Sequence, residues 1–422
     1  MKEINAEQFD VEVLKGGKVA LDFYSDDCPP CDALAPKFHG LAELYGKDVE
    51  FLKIFRQQNR ALAESLGVKS SPTLLFFENG VEVAERLAGG IKRSDIIRNL
   101  EVMLPEDRAE AIKKEIKPTI SEYDVIILGG GPGGLTAGLY LCQARINAVL
   151  IDIALPGGHV STTHEVSNYP GFIDPQPGYL LSHNMSEQTK ICGTIYKVAV
   201  DVTKVDLVKK EVVIDEYETI KAKKIIIATG TSPNPTGAIG ERELKGKGIS
   251  YCATCDAKYF IDKEVVVIGG GNSAVEESEF IAKFASKITM VHQFDKLTAN
   301  KHAQEKLLAN PKINVMYEYE PRSYTKDGDK MITEIENLRT KEITKLVSDG
   351  VFIFIGMKPN TSIFKEKLED DNWGYIKADE DMKTSIPDIY AIGDVVSKKY
   401  RQITTAVADG TIAAISITKE LD

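Results

Sequence analysis

Four of the six cysteines stand in two short pairs, Cys28/Cys31 in CPPC and Cys252/Cys255 in CATC, each spaced so that two thiols can share one disulfide. Such a pair at a helix N-terminus has its first thiolate stabilised by the helix dipole and exposed for exchange, which makes Cys28 the candidate nucleophile and Cys31 the resolving thiol. The alternative, one four-cysteine zinc site, would need ligands from opposite ends of the chain and spacing outside the usual zinc pattern. Asp256 follows the second pair at once, either as a general acid or base for the departing thiolate or as an ordinary loop acid. Cys142 and Cys192 stand alone and read as packing residues. The histidines, His39, His159, His164, His183, His292 and His302, show no metal-ligand spacing, so no metal is expected.

Two glycine turns provide the other chemistry. Gly129, Gly131 and Gly134 form G-x-G-x-x-G directly after the apolar run DVIIL, and Asp152 ends the next expected strand. The pattern suits a pyrophosphate on a helix N-terminus with an acid accepting from ribose hydroxyls. Gly269, Gly271 and Ala274 repeat the construction after EVVVI. The ribose reader of this second turn should follow KITMVH, from His292 to Thr298; no arginine lies there, which favours NADH over NADPH because a 2′-phosphate is usually met by arginine.

The elements that must hold these residues follow from periodicity. Residues 18–26 read as a buried strand leading into CPPC, with a helix from Asp32 to Tyr45; further strands and helices complete a small α/β domain over residues 1–104. Residues 105–122 read as a linker carrying a solvated helix, PEDRAEAIKKEIK, acidic early and basic late. Two nucleotide-binding modules follow, opened by the glycine turns at Gly129 and Gly269. The expected class is α/β: one small domain, then two Rossmann-like domains. The chain has 422 residues, 43% apolar and 27% charged, with a formal net charge of -11. That balance argues against nucleic acid and anionic membrane as partners. The start has no apolar leader segment and the cysteine pairs suit a reducing compartment, so a cytoplasmic protein is expected.

Residues 1–104 resemble thioredoxin: ALDFY with the buried-acid candidate Asp22, the CPPC site, and Ser71-Pro72-Thr73, which matches the family's cis-proline loop. The departures are Asp26 and Asp27 where the family has tryptophan before the first cysteine, and Pro29-Pro30 in place of Gly-Pro; two acids there should raise the thiol pKa. Residues 123–422 are similar to low-molecular-weight thioredoxin reductases, which implies a discontinuous FAD module at 123–238 and 358–422 with the pyridine-nucleotide module, 239–357, inserted in it. The resemblance implies an FAD site at GGGPGG (with Pro132 and Gly133), at Thr163 and Asn168, at Ala228, Thr229 and Gly230, and at Gly393, Asp394, Arg401, Gln402 and Ile403. It implies a nicotinamide-nucleotide turn at Gly269, Gly271, Asn272, Ser273, Ala274 and His292. It further implies a homodimer in which the inserted domain rotates, so that the nicotinamide and the Cys252/Cys255 pair reach the flavin alternately. Electrons would then pass from NAD(P)H to the Cys252/Cys255 disulfide, with Cys255 facing the flavin and Cys252 attacking the substrate, then to Cys28/Cys31 and on to protein disulfides such as thioredoxin or a peroxiredoxin. Rival readings are the flavoprotein of alkyl hydroperoxide reductase, whose N-terminal unit is doubled, and a flavin redox sensor without turnover. Reduced ferredoxin is the donor to consider if nicotinamide nucleotides fail.

Overall fold

The computed structural model describes residues 1–163, 166 and 168–421, with the side chains of Thr254 and Cys255 outside that description. The N-terminal domain contains β1 (Lys2–Ile4), β2 (Lys18–Tyr24), α1 (Pro29–Tyr45), β3 (Glu50–Phe55), β4 (Thr73–Glu78), β5 (Val81–Glu82), β6 (Leu87–Ala88) and α2 (Arg93–Val102). Its sheet runs β1-β3-β2-β4-β5, with β6 on β4. Central β2 pairs parallel with β3 and antiparallel with β4, so Val19, Ala20, Leu21 and Phe23 are all buried. Helix α1 begins where Pro29 and Pro30 can sit, because the first helical N–H groups have no intrahelical acceptor. Leu34, Phe38, Leu41 and Tyr45 recur at helical spacing and pack on the sheet.

Helix α3 (Glu106–Glu115) occupies the expected linker, yet it is not solvated. Ala109 and Ile112 are buried, Ile112 within the N-terminal core, and Arg108 grips Asp48 while Lys113 pairs with Glu101. The sequence shows only three apolar side chains on this helix, Ala109, Ala111 and Ile112, and two of them are used for packing. Strand β7 (Thr119–Leu128) then begins at once, so only residues 116–118 separate the N-terminal domain's last helix from the next sheet. The N-terminal domain is mounted rather than leashed.

The second unit continues with α4 (Pro132–Gln143), β8 (Ala148–Asp152), α5 (Gly178–Cys192), β9 (Ile195–Val198), β10 (Val202–Asp206), β11 (Glu211–Ile214) and β12 (Glu218–Ile227). The chain leaves through β13 (Thr231–Pro233). The inserted unit comprises β14 (Ile249–Ser250), β15 (Glu264–Ile268), α6 (Asn272–Ile281), β16 (Lys287–His292), β17 (Ile313–Tyr317), a three-stranded sheet of β18 (Tyr319–Asp327), β19 (Lys330–Asn337) and β20 (Ile343–Ser348), and β21 (Gly350–Ile353). Return is through β22 (Met357–Pro359), which pairs antiparallel with β13 and makes a two-stranded crossing between the units. Strand β23 (Ile389–Ala391) then joins β12 in parallel, and α7 (Ile403–Leu421) closes on α4. The first-turn sheet, ordered β10-β11-β12-β7-β8-β9 with β23 on β12, therefore contains strands from both sides of the insertion.

Candidate active site

In the N-terminal domain, Cys28 is the N-cap of α1 and is joined to Cys31 in a disulfide. Its Sγ accepts from the Cys31 N–H at 3.3 Å and lies 3.5 Å from the Ser71 carbonyl oxygen, beside the cis Ser71-Pro72 bond. Arg56 went unnoticed in the sequence; its Nε donates to Ser71 Oγ at 2.9 Å and so holds this loop against the dithiol. Asp26 and Asp27 are both exposed. Asp22 is 7% exposed, with Oδ1 lacking a hydrogen-bond partner, and burial pushes its pKa up to about 7 against the pull of Lys53.

This domain sits on the first nucleotide-binding unit. Lys37 on α1 donates to the carbonyls of Ile91 at 3.1 Å, Val198 at 2.8 Å and Ala199 at 2.7 Å. Burial pushes its pKa down to about 8, while Asp215 and Asp201 act to raise it. Lys92 and Ser94 reach Asp201, and Lys190 on α5 reaches Asp32, the residue after Cys31. Nothing in the local sequence marks Lys37, because its acceptors are backbone groups far along the chain.

At the second pair, Cys252 is disulfide-bonded and caps the short helix Ala253–Asp256. The role expected of Cys255 falls on a side chain outside the described residues. Asp256 Oδ2 accepts from Ser250 Oγ at 2.6 Å, and Ser250 Oγ in turn accepts from the Cys252 N–H at 3.1 Å. The carboxylate is thus coupled to the backbone of the cysteine through Ser250, a buried residue that the motif alone did not single out.

The first glycine turn opens a cavity of about 610 Å³. Gly129 has φ +111°, and a Cβ there would stand 2.3 Å from the Ala228 carbonyl, so only glycine fits. Gly131, Pro132, Gly133, Gly134, Asp152, Ala228, Thr229, Gly230, Gly393, Asp394, Gln402 and Ile403 all line the cavity. Asp152 accepts from Gly130 N at 2.6 Å and Ala154 N at 2.8 Å, and burial holds its carboxyl above the usual range. Three expected residues do not line it. Thr163 Oγ1 donates to the His159 carbonyl, Asn168 donates to Gln402, and Arg401 lies over the Tyr375 ring while its Nε donates to the Asp394 carbonyl at 3.1 Å. Asn360 was missed: it exchanges hydrogen bonds with Thr229, which tie the returning chain to the cavity wall. Asp394 Oδ1 is buried without a partner, and burial raises its carboxyl. A polar group facing a large cavity in this way, beside glycines at a helix N-terminus, fits a dinucleotide with hydroxyls and a pyrophosphate.

At the second turn, Gly271 caps α6 and Gly269 has φ +134°. Asn272 Oδ1 accepts from Asn300 N at 2.8 Å, Ser273 follows on the same helix turn, and Ala274 is buried. The buried His292 takes the place that Asp152 holds in the first turn. Its ring lies so near Gly270 that a Cβ there would be 2.4 Å from Nδ1, and Nε2 pairs with the Lys296 carbonyl at 3.0 Å. Burial lowers its pKa, so the ring is neutral at pH 7. Among the described residues no cluster of three or more His, Cys, Asp or Glu could hold a metal, and no helix is long and apolar enough to cross a membrane.

Residues 123–410 match the family model described as pyridine nucleotide-disulphide oxidoreductase, and residues 1–102 match the thioredoxin model. The chain is 43% identical over 307 residues to a thioredoxin reductase of Peptoclostridium acidaminophilum, covering 71% of this chain and 97% of that protein. It is 40% identical to a thioredoxin reductase of Listeria innocua, covering 71% and 94%. The crystal structure of a thioredoxin reductase from Streptococcus pyogenes superposes with a TM-score of 0.63 at 37% identity, covering 71% of this chain and 98% of that one.

Proposed function

The chain belongs to the pyridine nucleotide-disulphide oxidoreductases, in their thioredoxin reductase branch, with a thioredoxin domain on the same polypeptide, and from that premise we propose the route its electrons take. A nicotinamide nucleotide, NADH in preference to NADPH, is the donor. The Cys252/Cys255 dithiol passes the electrons to Cys28–Cys31, and that pair reduces other protein disulfides, those of thioredoxins or peroxiredoxins. The working assembly is a homodimer.

The observation that carries this reading is the presence of two cysteine pairs, each opening a helix, on one chain with a dinucleotide cavity. Gly131 to Gly134 and Thr229 would hold the pyrophosphate side of FAD, and Asp394 would receive one of its hydroxyls. When bound, the flavin supplies hydride acceptance from the nicotinamide and two-electron reduction of a disulfide. The protein's own part is thiol chemistry. The Cys252 thiolate attacks Cys28 Sγ, the Cys28–Cys31 bond breaks with Cys31 leaving as thiolate, and Cys255 then attacks Cys252, releasing Cys28 and restoring the Cys252–Cys255 disulfide. Asp256, through Ser250, orients the Cys252 backbone and stands ready to exchange the proton of the departing thiol. Cys252 and Cys255 give up two electrons, and Cys28 and Cys31 gain them.

The donor preference rests on the segment from His292 to Thr298. It holds no arginine, and His292 is neutral and turned to the Lys296 carbonyl, so a 2′-phosphate meets no fixed guanidinium. Anaerobic titration of the flavoprotein with NADH and NADPH separately, following flavin absorbance, tests the proposal. Bleaching by NADH at lower concentration than by NADPH is expected; bleaching by neither would remove the nicotinamide donor. The alkyl hydroperoxide reductase reading is not favoured, since the thioredoxin match is single and relatives at about 40% identity are thioredoxin reductases.

A further inference from the structure

The two cysteines that the sequence leaves as packing residues meet in the fold. Cys142 lies in the last turn of α4 and Cys192 is the last residue of α5. Cys142 Sγ donates to the Cys192 carbonyl at 2.6 Å, and Cys192 Sγ donates to the Leu139 carbonyl at 3.8 Å, so each thiol is turned to the other's helix. Both are free thiols and half-buried. Burial pushes the Cys142 thiol up to about 11, and the neighbouring Cys192 adds to the rise.

Flanking groups fix this meeting. Thr189 Oγ1 donates to the Leu135 carbonyl at 2.9 Å, and Thr194 Oγ1 donates to the Gly138 carbonyl at 2.9 Å, binding α4 to the end of α5 on both sides of Cys192. Gly193 has φ +122°, and a Cβ there would stand 3.2 Å from Cys142 Sγ. The bare backbone lets the chain turn over the thiol.

We propose that Cys142 and Cys192 are a third oxidisable dithiol, which a peroxide converts to a disulfide stapling α4 to α5. Cys192 reacts first, because its proton is held only loosely by the Leu139 carbonyl at 3.8 Å, whereas the 2.6 Å bond to the Cys192 carbonyl and burial keep Cys142 as thiol. The Cys192 thiolate attacks a peroxide oxygen, the O–O bond breaks, and Cys192 becomes a sulfenic acid. Cys142 sulfur then attacks Cys192 sulfur, forming S–S and expelling water. Overall, two thiols and one hydrogen peroxide give one disulfide and two waters, with both electrons coming from the sulfurs. The staple links the helix that opens the dinucleotide cavity to the helix whose Lys190 receives Asp32 of the thioredoxin domain, so an oxidative signal is fixed beneath that domain's seat. It uses no thiol of the electron relay.

The test treats the full-length flavoprotein with hydrogen peroxide, blocks remaining thiols with iodoacetamide and digests with trypsin without reductant. Peptides 115–145 and 191–197 each contain one cysteine. The expected product joins them, two hydrogens lighter than their sum and cleaved by reductant. In Cys142→Ser, Cys192 should instead be captured by dimedone as the sulfenic acid. Recovery of both cysteines alkylated, under conditions that oxidise Cys28 and Cys31, would overturn the proposal, as would linkage of either to another cysteine. The unsubstituted protein decides the matter even if the variant fails to fold.

Discussion

The Lys37 ammonium, one helix turn and a half beyond Cys31, donates to the Val198 carbonyl of the neighbouring unit at 2.8 Å. With Ile91 and Ala199 it has three backbone acceptors, so one side chain from the dithiol helix closes the domain seat. Lys37→Met leaves those carbonyls without their donor, at a cost on the order of 2 kcal/mol. Amide hydrogen exchange in residues 90–95 and 195–201 should then quicken by roughly tenfold or more, since 1.4 kcal/mol corresponds to a factor of ten. Unchanged exchange on both sides would mean the seat is held elsewhere.

Asp22 should make stability depend on pH. Its folded pKa, about 7, lies above the unfolded value of 3.8, so the folded state binds the proton more tightly. Stability is therefore greatest below the unfolded pKa and falls as pH rises from about 4 to about 7. Some three pKa units correspond to roughly 4 kcal/mol, an upper bound for what Asp22→Asn can restore. Denaturant unfolding of that variant should show a gain at pH 8 that vanishes near pH 4. An equal effect at both pH values would remove desolvation of Asp22 as the cause.

Donor choice is open to redesign at Gln293 and Phe294. The double substitution Gln293→Arg, Phe294→Arg should move the ratio of kcat/KM for NADH and NADPH toward NADPH by about 1–3 kcal/mol, the range for a charged hydrogen bond. A clear NADPH preference in the unsubstituted enzyme would contradict the assignment.

The relay predicts a trapped bridge. With Cys31→Ser and Cys255→Ser, neither partner thiol can release a Cys28–Cys252 mixed disulfide, which should accumulate on oxidation. Peptide mapping detects it; monomer mass on a non-reducing gel places the transfer within one chain, and dimer mass places it between chains. Absence of any Cys28–Cys252 peptide would end the proposed route.

Gly270→Ala should disrupt the inserted unit. The new methyl would overlap the buried His292 ring, with contacts of 2.4 to 2.6 Å. Overpacking of this kind costs about 1–3 kcal/mol or more. His292→Ala in the same chain should recover much of that loss, a coupling that thermal unfolding of the two singles and the double would reveal. Additive losses would show that the ring is not the obstacle.

The sequence alone determined what depends on neighbours along the chain. CPPC opening α1 and the two glycine turns were legible because helix starts and left-handed glycines are local demands of the backbone. The apolar runs of β2, β7 and β15 likewise announced strands. Tertiary structure decided what depends on groups far apart. Lys37 binds carbonyls some 160 residues away, Ser250 couples Asp256 to Cys252 by the local path of the fold, and Arg401 supports the Asp394 backbone from behind the cavity. Helix α3, solvated on paper, packs through Ile112 because the N-terminal core offers that face a partner. Cys142 and Cys192 are single cysteines in sequence and neighbours in space, since only the packing of α4 on α5 sets the distance between two thiols. Periodicity reports which face of an element is apolar; which surface covers that face is settled only when the elements meet.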